Sequence, residues 1–254
     1  MKRIFYILLI LEMSGAVLFA SSDVNRAVRT KTLYPLPSAI VMKAYRYLGR
    51  LQAFSVDAVT TNDDVFQGKI LVTYTHWVHI DLQRPGKLYI KVDGDLKNKR
   101  FYLNNGDFTI YDKDLNYYGK LDLPKKIDAA LDALFEKYDI KTALANILYS
   151  DLYKRIPPQE KGYYFGLSDV EDTSCYHLAF ANAIKEIQVW IEKGERPLIR
   201  KFIVIDKTEP LLPRSSTVLH WKLKPHFGKK HFMFAPPENA WEIPVVRDVQ
   251  KEKK

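Results

Sequence analysis

The stretch QRPGKLYIKVDG, Gln83 to Gly94, holds a turn, an alternating strand and a terminating glycine within twelve residues. Successive side chains of a pleated strand face opposite ways, so Leu88, Ile90 and Val92 share an apolar face while Tyr89, Lys91 and Asp93 share a wet one. Pro85 cannot donate to a strand ladder and Gly86 adapts to any backbone angle, so the pair marks a turn and places Arg84 at a rim. The pattern repeats on both sides. AFSVDAVTT, GKILVTYTHWVHIDL, RFYLNN, FTIYD and LNYYGKLDL are strand-like and are separated by Gly68, Pro85-Gly86, Asn104-Asn105-Gly106 and Asp112 to Asp114, which is hairpin punctuation. Neighbours in sequence are therefore expected to pair antiparallel.

The period then changes. Ile127, Ala130, Leu131, Leu134, Phe135 and Tyr138 recur at three and four residues after Pro124, which predicts an amphipathic helix, and Leu144, Ile147 and Leu148 predict a second, short one. An earlier helix is predicted with Ser38 as its cap and Ile40, Ala44, Leu48 and Leu51 as its apolar stripe. A second strand set follows in GYYFGLSDVED, CYHLAFAN, IKEIQVWIEK, PLIRKFIVIDK and STVLHWKLK, with a short piece near Phe232. Helices inserted between two strand sets without a βαβ rhythm predict an α+β fold, with one antiparallel sheet and helices on one face. About eleven strands in one sheet must curl, because strongly twisted open sheets rarely stay flat beyond about ten. The predicted architecture is thus a curled, half-open incomplete β-barrel with helices as a lid over its concave face. An apolar cavity is expected there, lined by Val72, Tyr74, Leu88 and Ile90 from the strands and Leu131 and Phe135 from the helix. The abundant tyrosines and phenylalanines are read as facing that helix.

Lys2 and Arg3 precede the apolar run IFYILLILEMSGAVLFA, which ends in small residues, so residues 1–20 read as a secretory signal cleaved after Ala20. The alternative is an uncleaved anchor, against which Glu12 inside the run argues. Residues 21–37 form an extended leader, 38–246 a single domain and 247–254 a basic tail. The run is followed by no lipidation cysteine, and Cys175 is the single cysteine of the chain, so no internal disulfide can form. The formal net charge of +9, lowered by one on loss of Lys2, Arg3 and Glu12, favours anionic surfaces such as lipid headgroups.

Chemistry-bearing patterns are sparse. His76 and His79 fall on opposite faces of a strand and cannot share a metal, and His220, His226 and His231 are irregularly spaced. Cys175 and His177 share a face without a third group to orient them. No nucleophile elbow, phosphate-cradling loop, dinucleotide fingerprint or zinc spacing occurs. The expectation is a non-enzymatic binding protein with no metal and no cofactor.

LQAFSVDAVT, QRPGKLYIKVDG, the hairpin LNNGDFTIYDKDLNYY and FMFAPPENA, in that order, resemble the bacterial lipoprotein carriers LolA and LolB, whose superfamily includes mycobacterial LppX, and within it a subgroup of predicted periplasmic proteins of unknown function. The resemblance implies an incomplete barrel with a helical lid. It places Arg84 on the carriers' lid-contacting arginine, and Leu88 and Ile90 on positions whose aromatic side chains line the carrier cavity. It also implies a soluble periplasmic carrier, monomeric, holding the acyl chain of a lipid or lipoprotein. An anionic membrane surface or an envelope protein is the further partner expected, and nucleic acid is not. The competing readings are an envelope sensor or scaffold that uses the same fold to bind a protein, and a secreted hydrolase, which would need polar residues converging in the cavity.

Overall fold

The computed structural model describes residues 36–140, 144–156 and 162–246. The readings made for residues 1–35 and 247–254, signal, leader and tail, lie outside them, except that the leader's last two residues, Leu36 and Pro37, are described.

Helix α1 (Pro37–Arg50) comes first, followed by strands β1 (Ala53–Phe66), β2 (Ile70–Gln83), β3 (Lys87–Gly94), β4 (Lys99–Asn104), β5 (Asp107–Asp112) and β6 (Tyr117–Asp122). Helices α2 (Ile127–Tyr138), α3 (Ala145–Leu148) and α4 (Leu152–Arg155) interrupt the strands. Strands β7 (Tyr163–Val170), β8 (Thr173–Ala181), β9 (Lys185–Glu192), β10 (Ile199–Asp206), β11 (Arg214–Leu223) and β12 (Trp241–Glu242) complete the elements of the described residues. All twelve strands form one sheet in the order β12-β6-β5-β4-β3-β2-β1-β11-β10-β9-β8-β7. It consists of two antiparallel meanders joined where β1 pairs with β11, Val56 opposite Trp221. Strands β12 and β7 end the order unpaired with each other, so the curled sheet is an incomplete barrel of the α+β class.

The register fixes which residues share a face. Val56, Ile80 and Ile90 stand in one cross-strand row, and Phe101, opposite Ile90, and Ile110, opposite Phe101, extend it. This inner face carries α1 and α2. Ala44 and Leu48 of α1 and Ile127, Ala130, Leu131 and Leu134 of α2 are buried in one cluster with Phe54, Leu82, Leu88 and Phe108. The apolar stripe of each helix therefore packs on the sheet as its period requires.

Three details differ from the sequence reading. Helix α1 begins at Pro37, with Leu36 in the cap position and no side-chain cap, so Ser38 lies inside the first turn. Proline suits that first position because its missing N–H would be unpaired there anyway. The last strand is Trp241–Glu242, a two-residue parallel addition to β6, and no strand forms at Phe232. Around Phe232 the chain is held by ring contacts, and Pro236-Pro237 has no amide to offer a ladder. Finally, the aromatics divide between the faces. Tyr89, Tyr102, Tyr111 and Tyr118 stand on the outer face, away from the helices, because each is one residue out of step with the buried row.

Candidate functional site

The space under α2 is the first candidate. Of the six residues predicted to line it, Leu88, Ile90 and Leu131 are buried in the shared core. Leu88 and Leu131 border a void of about 10 Å³ together with Phe101, Leu103, Phe108 and Leu134. The other three lie apart. Val72 and Tyr74 are on the same inner face, but in the part of β2 that runs past the end of β3, where Gly94 pairs with His76. Phe135 is on the outward side of α2, 39 % exposed. The expected open cavity is thus filled in this conformation, because Phe101, Phe108 and Leu134 occupy the space that the curl of the sheet creates. A void of this size holds about one water molecule.

Polar ties fasten the lid at one edge. The Arg84 side chain is 8 % exposed, with Nη1 3.6 Å from Asp128 of α2. Its Nε donates to the carbonyl of Leu51 at 3.0 Å and its Nη2 to that of Leu148 at 2.9 Å. One planar fork therefore joins the end of α1, the end of α3 and the first turn of α2. Burial pulls the guanidinium below its ordinary pKa, while Asp128 and Asp151 act in the opposite direction. Asp128 also accepts from the Ser150 amide at 3.1 Å and from the Ser150 hydroxyl. One turn on, Asp132 accepts from Tyr149 Oη at 2.9 Å and from Arg155 Nη1 and Nη2 at 2.8 and 3.0 Å. The main chain adds a further tie, from the Ile127 amide to the Pro85 carbonyl at 2.8 Å. The QRPG turn is thus the anchor of α2 as well as the start of β3. Gly86 is required in it because a Cβ there would fall on the Lys125 carbonyl.

The second candidate, on the outer face, is one that sequence reasoning missed. Asp81, buried, accepts from Ser55 Oγ at 2.5 Å, from His79 Nε2 at 2.9 Å and from His231 Nε2 at 2.7 Å. His79 Nδ1 in turn faces Asp57 at 2.6 Å. An imidazole with a carboxylate at each nitrogen is favoured as the cation, because only the cation has two N–H donors. The pKa of His79 is raised to about 9, chiefly by the Asp81 hydrogen bond against the cost of burial, with Asp57 adding to it. Burial alone would raise Asp81, but the hydrogen bonds from His79, Ser55 and His231 outweigh it and hold the carboxyl below its ordinary value. The available signal was His79 and Asp81 two apart on one strand face. Ser55 donates to the carboxylate rather than to an imidazole, so this is not the arrangement that activates a serine.

His231 belongs to a C-terminal strap that crosses the outer face. Its ring packs on Tyr89 at 5.8 Å between centroids, and Phe234 sits among Tyr102, Tyr111 and Tyr118 at 5.4, 5.6 and 5.1 Å. The stretch FMFAPPENA is therefore a fastening of the outer face and not part of the lid. No group of three or more His, Cys, Asp or Glu placed to hold a metal ion occurs among the described residues. Cys175 is buried, and burial pushes its thiol up to about 11, away from reactivity. His177 is stacked on Trp190 at 4.1 Å. An open groove of about 270 Å³ lies between α1 and the β9–β10 loop, lined by Lys43, Arg46, Tyr47 and Arg50 with Glu195 and Pro197.

Fold and geometry together define an open antiparallel incomplete barrel with a helical lid fastened at one edge. The chain belongs to the family described as predicted periplasmic protein (DUF2092), whose model matches residues 38–246. No curated protein matches it. Among solved structures it is similar to an uncharacterised conserved protein from Thermus thermophilus, with 9 % identity and a TM-score of 0.47 over 81 % of this chain and 97 % of that one. It is also similar to LprF from Mycobacterium bovis, with 11 % identity and a TM-score of 0.46 over 80 % and 97 %. A LolA superfamily protein from Nitrosomonas europaea gives 10 % identity and a TM-score of 0.34 over 79 % and 99 %. No described helix is long and apolar enough to cross a membrane.

Proposed function

We propose that the protein is a non-catalytic periplasmic carrier that holds the acyl chain of a lipid or lipoprotein between α2 and the inner face of the sheet. The observation that carries this reading is the layer between them. Leu88, Ile90, Phe101, Leu103 and Phe108 face Leu131 and Leu134, and the buried polar side chains of the described residues, Ser55, Asp81, Thr109, Asp206 and Thr217, are not among those lining the void. Such a layer offers an alkyl chain contact without orienting groups, which suits a cargo recognised by its apolar tail.

The described conformation is then the closed one, and loading requires α2 to move. Lifting Ile127, Leu131 and Leu134 out of the layer costs about 1.5–3 kcal/mol each. An acyl chain of about 14 methylenes recovers about 0.8 kcal/mol for each one buried, about 10 kcal/mol before ordering costs. The two terms are of one size, so a chain can replace the helix without a large net penalty, and the polar ties at Arg84 decide which state is populated. Protein purified from its own envelope, extracted with organic solvent and analysed by mass spectrometry tests this reading. A reproducible acyl-bearing species supports it, and extracts free of any acyl species overturn it.

A further inference from the structure

The inner face of the sheet changes character along its central strands. Side chains two apart on a strand share a face, so the registers give its rows directly. Val56 and Ile80 stand in one row, and Ala58, Val78 and Leu219 in the next, all of them buried. The two rows that follow are polar. His76 of β2 lies opposite Thr60 of β1, which lies opposite Thr217 of β11, and Tyr74, Asn62 and Ser215 repeat the arrangement one row on. On β10 and β9 the same rows carry Phe202 and Val189, then Val204 and Ile187. Polarity is therefore confined to a block on β2, β1 and β11 and is not a general property of this end of the sheet. Thr217 is buried and the others are half-buried. Polar side chains on an outer face are ordinary, but on a concave face continuous with an apolar core they call for a reason.

Bonds inside the block use only part of its capacity. The Thr60 and Thr217 hydroxyls share a hydrogen bond of 2.9 Å, and Asn62 Nδ2 stands 3.5 Å from His76 Nδ1. The hydroxyls of Tyr74 and Ser215 have no partner among the described residues. Burial holds His76 below its ordinary pKa, with Lys97 adding to the effect and Asp95 opposing it, so the ring is neutral and offers one donor and one acceptor. The next row holds Asp64 of β1 opposite Val72, and Asp206 of β10 opposite Lys185. Asp64, Asp95 and Asp206 against Lys97 and Lys185 leave no excess of positive charge to hold a phosphate or a carboxylate. Neutral hydroxyl, amide and imidazole groups instead match hydroxyls and ester oxygens, and a few such groups beside an apolar surface fix the orientation of a ligand. Strands rise about 3.3 Å per residue, so His76 lies about 13 Å along β2 from Ile80, with apolar Val78 between them. An acyl chain lying on Ile80 places its head at this block.

We infer that this block holds the head of the cargo and that the head is uncharged and hydroxyl-bearing, a glycerol or a sugar, an assignment that rests on the acyl-chain reading above. The test measures binding to the purified protein of four probes of one chain length: 1-palmitoylglycerol, hexadecyl glucoside, methyl palmitate and 1-palmitoyl lysophosphatidate. The wild type is expected to bind the palmitoylglycerol or the glucoside about tenfold or more tightly than the other two, the worth of one or two net hydrogen bonds. The tighter of the two preferred probes tells a glycerol head from a sugar. The double variant Asn62→Leu, Ser215→Ala, its fold verified by far-ultraviolet circular dichroism, is expected to lose the preference and keep its affinity for methyl palmitate. A diazirine on the glycerol of the first probe, which needs no variant, is expected to label peptides containing Asn62 or His76. Equal wild-type affinities for the palmitoylglycerol, the glucoside and methyl palmitate overturn the head site and leave the acyl layer standing, as does a preference that the variant retains. Tighter binding of the lysophosphatidate overturns the uncharged head, and labelling confined to other peptides overturns its place. Binding of none of the probes overturns the acyl-chain reading and this assignment with it.

Discussion

Replacing Arg84 by methionine keeps the length and apolar stem of the side chain and removes only the fork. The change deletes donors to the Leu51 and Leu148 carbonyls at 3.0 and 2.9 Å and leaves Asp128 without the cation 3.6 Å from it. Hydrogen bonds from a charged donor contribute about 1.5–3 kcal/mol each, and leaving a buried partner unpaired costs more than the bond was worth. Arg84 is 8 % exposed, so screening offers little relief, although Asp128 retains its bonds from Ser150. The expected loss is about 3–4 kcal/mol, within the range for breaking one partner of a buried pair. Amide exchange on residues 127–138 reads where that loss falls. Protection of α2 should drop by roughly a hundredfold or more, while β4 and β5 keep theirs, since the lid is released before the sheet. Arg84→Lys should restore less than half of it, because a single ammonium cannot reach three acceptors in one plane. If Arg84→Met leaves α2 as protected as in the wild type, the fork does not hold the lid.

Gly86→Ala places a Cβ on the Lys125 carbonyl and close to Asn105 Oδ1, so the turn must shift. We expect a loss of about 2 kcal/mol, a fall in Tm of about 4–8 °C, and an unchanged melting curve would contradict the packing described at this turn. The raised pKa of His79 stabilises the folded state fully below its unfolded value of 6.5 and progressively less as pH rises through about 9. That shift corresponds to about 3 kcal/mol, reduced to about 1–2 kcal/mol because a third of the side chain is in water. Wild type should therefore lose about that much more stability than His79→Gln between pH 6.5 and 9.5, measured by denaturant unfolding at each pH; parallel curves would count against the cation. The lowered pKa of Asp81 works in the other direction, its contribution being present above 3.8 and lost on acidification. Phe234→Ala removes a ring held among three tyrosines and should free the strap, seen as faster exchange and proteolysis within residues 225–240 with the sheet unchanged. Cleavage rates equal to wild type would show that the strap is held elsewhere.

The fold is legible in the sequence where one face of a strand is polar. Leu88, Ile90 and Val92 against Tyr89, Lys91 and Asp93 give the face of β3 directly, and the three-to-four spacing of Ile127, Leu131 and Leu134 gives that of α2. Legibility fails where both faces are covered. Tyr89, Tyr102, Tyr111 and Tyr118 are as aromatic as any core residue, and alternation cannot say that a strap 116 to 142 residues away covers them. The Asp81 cluster is readable only in part for the same reason: His79 and Asp81 share a strand face in the sequence, but His231 reaches them from that strap. Alternation also cannot give strand length relative to a neighbour, which is why Val72 and Tyr74, on the correct face, stand beyond the end of β3. Volume is equally silent in sequence: the curl of the sheet was predictable, but not that Phe101 and Phe108 fill it.

The central claim, that an acyl chain lies between α2 and the inner face, is tested most directly with a fatty acid carrying a diazirine in mid-chain. After illumination and digestion, the account predicts adducts on peptides containing Leu88, Phe101, Phe108 and Leu131, and their loss on competition with unlabelled fatty acid. Adducts confined to the outer face or to the hairpin tips, or insensitive to competition, would contradict it.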